Sequence, residues 1–236
     1  MSTAVAERFD RIRVGVDVVV LSLAAAVDVA DGALPTVQAY LWQEHPDVRR
    51  LPGVSVRPAE NLEEAARRVL DDIGIADPRH LEQLASFGAP ARVPGVRTLS
   101  VSYLALLPEP TPVADDGHAG GWLPVADVDP DGGFVWDHGQ ILVAGLQRIR
   151  SKLSYSTIAF GLLGDEFTMS ELQAVYEAVL DTSLDKRNFR KRVTALQLLV
   201  DTGRLRRGSH RPARLYTFAS PDLVVLDDVV LRTTGA

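Results

Sequence analysis

LDKRNFRKRVTALQLLVDTGRLRRGSHRPARLY, residues 184–216, holds ten Lys or Arg and two acids, Asp185 and Asp201, in a chain whose formal net charge is −6. A basic island in an acidic protein is an electrostatic footprint for a polyanion. Phe189, Val193, Leu196 and Val200 recur at helical spacing, which predicts a helix near Asp185–Leu199 with that stripe against a core. Arg187, Arg190, Lys191 and Thr194 share the opposite face. A helix apolar on one side and cationic on the other can pack on its own domain while lying in a major groove. After it, Arg204–Arg207, a Gly-Ser-His-Arg-Pro turn and Arg214–Phe218 predict a hairpin with a cationic tip.

Upstream, Thr168-Met169-Ser170-Glu171 has the form of a capping box and opens a helix over Met169–Leu180. Leu172, Val175, Tyr176 and Val179 form its buried stripe. A short helix over Thr157–Leu163, ended by Gly164, precedes it. Two helices joined by a tight turn, the second basic and followed by a hairpin, make a winged helix-turn-helix over 155–236. Lys186, Arg187, Asn188, Arg190, Lys191 and Thr194 are its candidates for base edges and phosphates. Arg206, Arg207, His210 and Arg211 suit the DNA backbone or minor groove, and Arg and Asn are side chains able to make bidentate contacts to guanine and adenine. The tail 221–236 has no assigned role.

A long helix begins near Asp137, with Leu142, Leu146, Ile149 and Leu153 as its stripe, and 137–154 reads as a linker helix. Its Arg148, Arg150 and Lys152 form either a solvated face or a phosphate contact. His138 reads as a residue of the helix start that caps or packs, since no second His lies at metal spacing. Residues 1–136 form a separate domain. Val14–Ala26, rich in valine, predicts a strand buried on both faces, and Thr36–Trp42 a second. A turn is expected at Ala30–Gly32, further strands at Leu81–Phe87 and Val96–Leu106, and a polar loop over 108–120. A helix from Leu62 buries Leu62, Ala65, Ala66 and Val69, leaves Glu63, Glu64, Arg67 and Asp71 outside, and is capped by Gly74. Trp122 and Trp136 are expected to pack under the domain junction.

Composition removes several classes. With no cysteine there are no disulfides, thiolate zinc sites or thiol nucleophiles, and a reducing cytoplasm fits. The N-terminus lacks a cationic segment followed by an apolar run, and Val14–Val27 is broken by Asp17 and Ser22 and too short to span a bilayer. The expected location is cytoplasmic, with no membrane partner.

Gly53–Ile75 resembles a Nudix box, G-x5-E-x7-R-E-U-x-E-E-x-G-U, where U is a bulky aliphatic residue. The alignment places Gly53, Arg67, Gly74 and Ile75 on the pattern and departs from it elsewhere. Ala59 stands at the first glutamate with Glu60 beside it, Arg68 at the second, and Asp71-Asp72 at the pair. In that family the carboxylates hold a divalent metal against a pyrophosphate and help activate water, which needs oxygen ligands at short distances. The departures imply a Nudix fold with little or no hydrolase activity and no required cofactor, so no catalytic or metal residues are assigned.

The C-terminal half is similar to the NrtR family, the Nudix-related transcriptional regulators of NAD metabolism. Phe167-Thr168, Glu171-Leu172-Gln173, Val175-Tyr176-Glu177, Asp185–Arg190 and Arg211-Pro212-Ala213 carry the likeness. Asp137-His138 and the long helix resemble that family's junction. The resemblance implies an α+β chain, a Nudix-like α/β/α sandwich followed by a winged helix-turn-helix. It implies a homodimeric repressor of NAD biosynthesis or salvage genes on double-stranded operator DNA, with ADP-ribose or a related nucleotide as effector. Glu44 stands where Nudix proteins often carry an arginine, so Arg49 and Arg50 join Gly53, Glu60, Glu64, Asp71 and Asp72 as ligand-binding candidates. Two alternatives stay open: an active hydrolase of ADP-ribose or another nucleoside diphosphate derivative, and a protein-interaction scaffold.

Overall fold

Alternation along the first strand explains the layering. A computed structural model describes residues 12–24, 34–111, 119–207, 212–226 and 230. In β1 (Arg13–Ala24), Val16, Val18 and Val20 face one side, Val19, Leu21 and Leu23 the other, and all six are buried. A strand apolar on both faces belongs at the centre of a covered sheet. β1 pairs antiparallel with β2 (Thr36–His45) and parallel with β6 (Thr98–Leu106). With β3 (Val48–Arg50) and β5 (His80–Phe87) at the ends, the order is β3-β2-β1-β6-β5. β4 (Gly53–Ser55) adds to β1, and β7 (Gly120–Pro124) to β2.

α1 (Leu62–Asp72) covers one face through Ala65, Ala66, Val69 and Leu70, packed with Val16, Val18 and Val20. α2 (His138–Tyr155) covers the other through Ile141, Leu142 and Ile149. A Cβ on Gly145 would come within 2.8 Å of the Val19 side chain, so glycine there sets the close approach of α2 to the sheet. The helix read from sequence as a linker is thus also the third layer of an α/β/α sandwich.

The C-terminal part opens with a 3-10 turn, Ile158–Leu162, shorter than the expected helix. It continues through β8 (Phe167–Thr168), α3 (Met169–Leu180), α4 (Lys186–Ala195), β9 (Leu199–Arg206) and β10 (Ala213–Phe218). The small antiparallel sheet has the order β8-β10-β9. Both halves of the capping box form: Thr168 Oγ1 accepts from the Glu171 amide at 3.2 Å, and Glu171 Oε2 accepts from the Thr168 amide at 2.7 Å. One apolar cluster runs from Val19, Leu21 and Leu104 through Ile149 and Leu153 to Phe167, Leu172, Val175, Phe189 and Val193. The core does not stop at the end of the sandwich.

Some expectations are corrected. α4 ends at Ala195, because Gln197 takes a left-handed φ of 52° and Leu199 starts a strand paired with Phe218. Val200 therefore belongs to β9 and is 49% exposed instead of facing the core. The tail also has a place: the Thr157 amide donates to Val224 O at 2.9 Å, and the Leu226 and Val230 amides donate to Tyr155 O and Ser154 O at 2.7 Å. It straps the C-terminal end of α2. The expected turn at Ala30–Gly32 lies outside the described residues. Among the described residues no helix is long and apolar enough to cross a membrane.

Candidate functional site

α4 is held from beneath and left open above. Asp185 caps it by accepting from the Asn188 amide at 2.8 Å. Phe189 and Val193 are buried, and Phe189 meets the Tyr176 ring edge-on at 5.2 Å. The turn before α4 is fixed by α3: Glu177 Oε1 accepts from the Leu184 amide at 2.7 Å and from Gln173 Nε2 at 3.0 Å, and Gln173 Nε2 also donates to Leu184 O at 2.9 Å. On the outer surface Lys186, Arg187, Asn188, Arg190, Lys191, Arg192 and Thr194 are all exposed. Its five cations make no ion pair with any described residue. A short helix carrying that much uncompensated charge on a rigid base suits the phosphate-lined wall of a DNA groove.

The hairpin is different. Arg204 pairs with Glu166 at 2.9 Å, and Arg214 with Asp201 at 2.5 Å. Arg206 pairs with Glu171 and donates from Nη2 to Glu166 O at 3.1 Å. Two of these acids precede the basic island, so the sequence inventory of the island overstated its free charge. Arg206, a candidate for DNA, is here an internal tie to the start of α3. Arg207 is exposed and unpaired among the described residues. His210 and Arg211 lie outside the described residues.

The cations of α2 are also engaged. Glu82 on β5 receives Arg148 at 3.1 Å, His80 at 3.2 Å and Lys152. Burial raises its pKa, but the adjoining His80 ring and Lys152 ammonium outweigh burial and hold it at about 2. Arg148 Nη2 donates to Leu84 O at 2.5 Å, and Arg150 Nε to Val179 O at 2.9 Å. Arg148 and Lys152 thus bind α2 to β5, while Arg150 reaches α3 and stays exposed.

In the sandwich, Glu60, Glu63 and Glu64 of the box segment are engaged within the protein. Arg68 Nε and Nη2 make a two-pronged pair with Glu60 at 2.7 and 2.8 Å, and Nη2 also reaches Ser55 O at 3.1 Å. That pair, with the Arg57 amide, lowers the Glu60 pKa to about 2. Glu64 Oε2 accepts from the Asn61 amide at 2.8 Å in a capping box, and Glu63 pairs with Arg67 at 3.0 Å. Asp71 and Asp72 are exposed. Among the described residues no group of three or more His, Asp or Glu is placed to hold a metal ion. Gly53 is where β4 crosses β1: a Cβ there would sit 2.2 Å from Asp17 Oδ1. Arg49 and Arg50 lie on β3. Arg49 donates to Pro46 O at 3.2 Å, while Arg50 pairs with Glu44 at 2.9 Å and sits 4.2 Å over the Trp42 ring.

A polar cluster escaped sequence reasoning because its members are far apart in the chain. Arg92 grips Asp137 at 2.6 and 2.9 Å and lies 3.6 Å from Asp17, which accepts from Ser100 Oγ at 2.5 Å. His138 Nδ1 accepts from the Leu51 amide at 3.0 Å, and burial lowers its pKa, keeping the ring neutral. His138 therefore packs, as expected. Trp122 is half-buried, edge-on to Tyr40 at 5.7 Å, and donates to Thr111 O at 2.9 Å. Trp136 does not pack under the junction: it is 53% exposed and holds a left-handed φ of 52°.

Comparison with known proteins follows the same division. Residues 159–218 match the model of the NrtR DNA-binding winged helix domain. Over 178 residues the chain is 32% identical to the ADPR responsive transcriptional repressor NtrR of Acinetobacter baylyi, covering 73% of this chain and 70% of that protein. The fold is similar to Shewanella oneidensis NrtR crystallised with a 27mer DNA, with a TM-score of 0.69 and 28% identity over 89% of this chain and 94% of that one. It is also similar to a MutT/nudix family protein from Enterococcus faecalis, with a TM-score of 0.72 and 25% identity over 90% of each chain.

Proposed function

The chain belongs to the NrtR family, and on that premise we propose that it is a DNA-binding transcriptional repressor of NAD biosynthesis or salvage genes whose sandwich senses ADP-ribose or a related nucleotide. The observation that carries this reading is the outer face of α4, five cations unpaired among the described residues, with Asn188 and Thr194, on a helix seated by Phe189 and Val193. Residues 155–236 form the DNA-binding unit, residues 1–136 the sensing unit, and two copies act as a homodimer on a near-palindromic site, as helix-turn-helix geometry favours. The sandwich binds its nucleotide without hydrolysing it. Supporting this, the second glutamate position is Arg68, and the neighbouring acid Glu60 is committed to it.

The test is a titration of the protein on DNA upstream of its own gene and of NAD-pathway genes, with and without ADP-ribose. Specific binding that ADP-ribose shifts supports the full reading. Specific binding indifferent to ADP-ribose keeps the repressor and removes the sensor. Absence of specific binding, together with turnover of ADP-ribose in magnesium, would replace the repressor with a hydrolase. Ligand control requires the nucleotide to bind one DNA-affinity state more tightly than the other, since equal affinity shifts nothing.

A further inference from the structure

The Nudix-like fold implies a divalent ion at the box helix, and the residues present do not fit one. Magnesium demands near-octahedral oxygen ligands at short range. Around α1 most of the carboxylates are already occupied. Both Glu60 oxygens accept from Arg68, and one also takes the Arg57 amide at 2.9 Å. Glu64 closes its own helix cap, and Glu63 holds Arg67. That leaves Asp71 and Asp72, which are consecutive on a helix and so point away from each other.

We propose that the box face takes no divalent ion, and that the Arg68 guanidinium, clamped by Glu60 and the Ser55 carbonyl, is an internal cation in its stead, so that a nucleoside diphosphate effector binds without metal. The second half of that statement rests on the nucleotide-sensing reading above; the first half stands without it. The clamp also has a mechanical role. It ties β4, through Ser55 O, to α1 and to the loop at Arg57. With Arg68 and Glu60 cancelling each other, the region is held together with no ion to gain or lose.

The experiment is a manganese titration of the full chain followed by electron paramagnetic resonance of the free ion. The expected result is no saturable site up to about millimolar Mn2+, whereas saturable binding in the micromolar range overturns the proposal. Arg68→Glu should create a site, because it frees Glu60 and sets a carboxylate one turn from Asp72. Arg68→Gln, which frees Glu60 without adding a carboxylate, should not. Equal failure of Arg68→Glu and Arg68→Gln to bind Mn2+, with both variants folded by circular dichroism, overturns the idea that Arg68 holds the place of an ion. If Arg68→Glu does not fold, the wild-type titration still decides. ADP-ribose affinity is then measured by calorimetry in magnesium and in EDTA. Agreement within about twofold is expected, and a tenfold loss in EDTA overturns metal-free binding. If ADP-ribose binds in neither buffer, the sensing reading fails, while the manganese result still judges the box face.

Discussion

Arg187 and Arg206 belong to one basic island, yet they face different things. Arg187 is exposed on α4 with no acid among the described residues beside it, whereas Arg206 already has Glu171 and Glu166 O. A cation without an internal partner brings its whole charge to a phosphate or base edge, while a paired one must first give up its acid. Arg187→Ala with Arg190→Ala is expected to lower operator affinity on the order of 100-fold, the combined worth of two contacts of this kind. The slope of log affinity against log salt should fall by about 2 if both residues contact phosphates. Arg206→Ala should change affinity by less than about threefold, since its guanidinium is held by both Glu171 and the Glu166 carbonyl and is directed at α3. Fluorescence anisotropy on operator duplex at several salt concentrations measures all three. A loss for Arg206→Ala matching that of the pair would mean that the wing exchanges Glu171 for DNA.

At the scale of elements, the recognition helix is only as well placed as the turn that delivers it. Glu177 and Gln173 belong to α3, and between them they take both the amide and the carbonyl of Leu184, the residue before the Asp185 cap. Glu177→Ala leaves that amide without its acceptor and is expected to cost about 1–3 kcal/mol in urea unfolding. It should also weaken DNA binding, although Glu177 itself lies behind the groove-facing surface. Glu177→Gln keeps an acceptor oxygen and should recover most of both losses. If stability falls in Glu177→Ala while DNA affinity stays at the wild-type value, the clamp does not set the pose of α4. The periodicity of α1, α3 and α4 was legible in sequence, as were the α3 capping box and the hairpin. The end of α4 was not, because Leu196 and Val200 continue a helical stripe that strand pairing overrides.

Across the whole molecule, the sandwich and the winged helix share a core, and a charged tie fastens α2 to the sheet of the sandwich. The apolar cluster is continuous from Val19 to Val193, so unfolding should be a single cooperative transition with calorimetric and van't Hoff enthalpies in agreement. Two resolved thermal transitions would contradict it. Glu82 joins β5 to α2, and its pKa is lowered from 4.5 to about 2 in the folded chain. The unfolded chain therefore binds the proton first as pH falls. The stabilisation is complete above the unfolded value and is lost progressively from pH 4.5 down to about 2. Its size is about 3 kcal/mol at most, from the worth of a pKa unit. Glu82→Gln should remove that contribution at neutral pH and make the acid limb of a stability–pH curve shallower. Glu60, lowered by Arg68 over the same range, keeps the limb from becoming flat. An unchanged acid limb in Glu82→Gln would show that the tie adds nothing to stability.

The sequence by itself determined what depends on near neighbours. Period, caps and turn chemistry act over about four residues, so α1, α3, the seated face of α4, the two-sided burial of β1 and the erosion of the box at Ala59 and Arg68 were all readable. Only the tertiary structure decided which charges remain free. Arg148 meets Glu82 across 66 residues, Arg206 meets Glu166 across 40, and Arg92 meets Asp137 across 45. Coulombic partners are chosen by where distant segments pack, and composition counts charges without pairing them. Hence the basic island was visible as a sum, while its division among the described residues into a bare helix and a hairpin stem with Arg204, Arg206 and Arg214 paired required the fold.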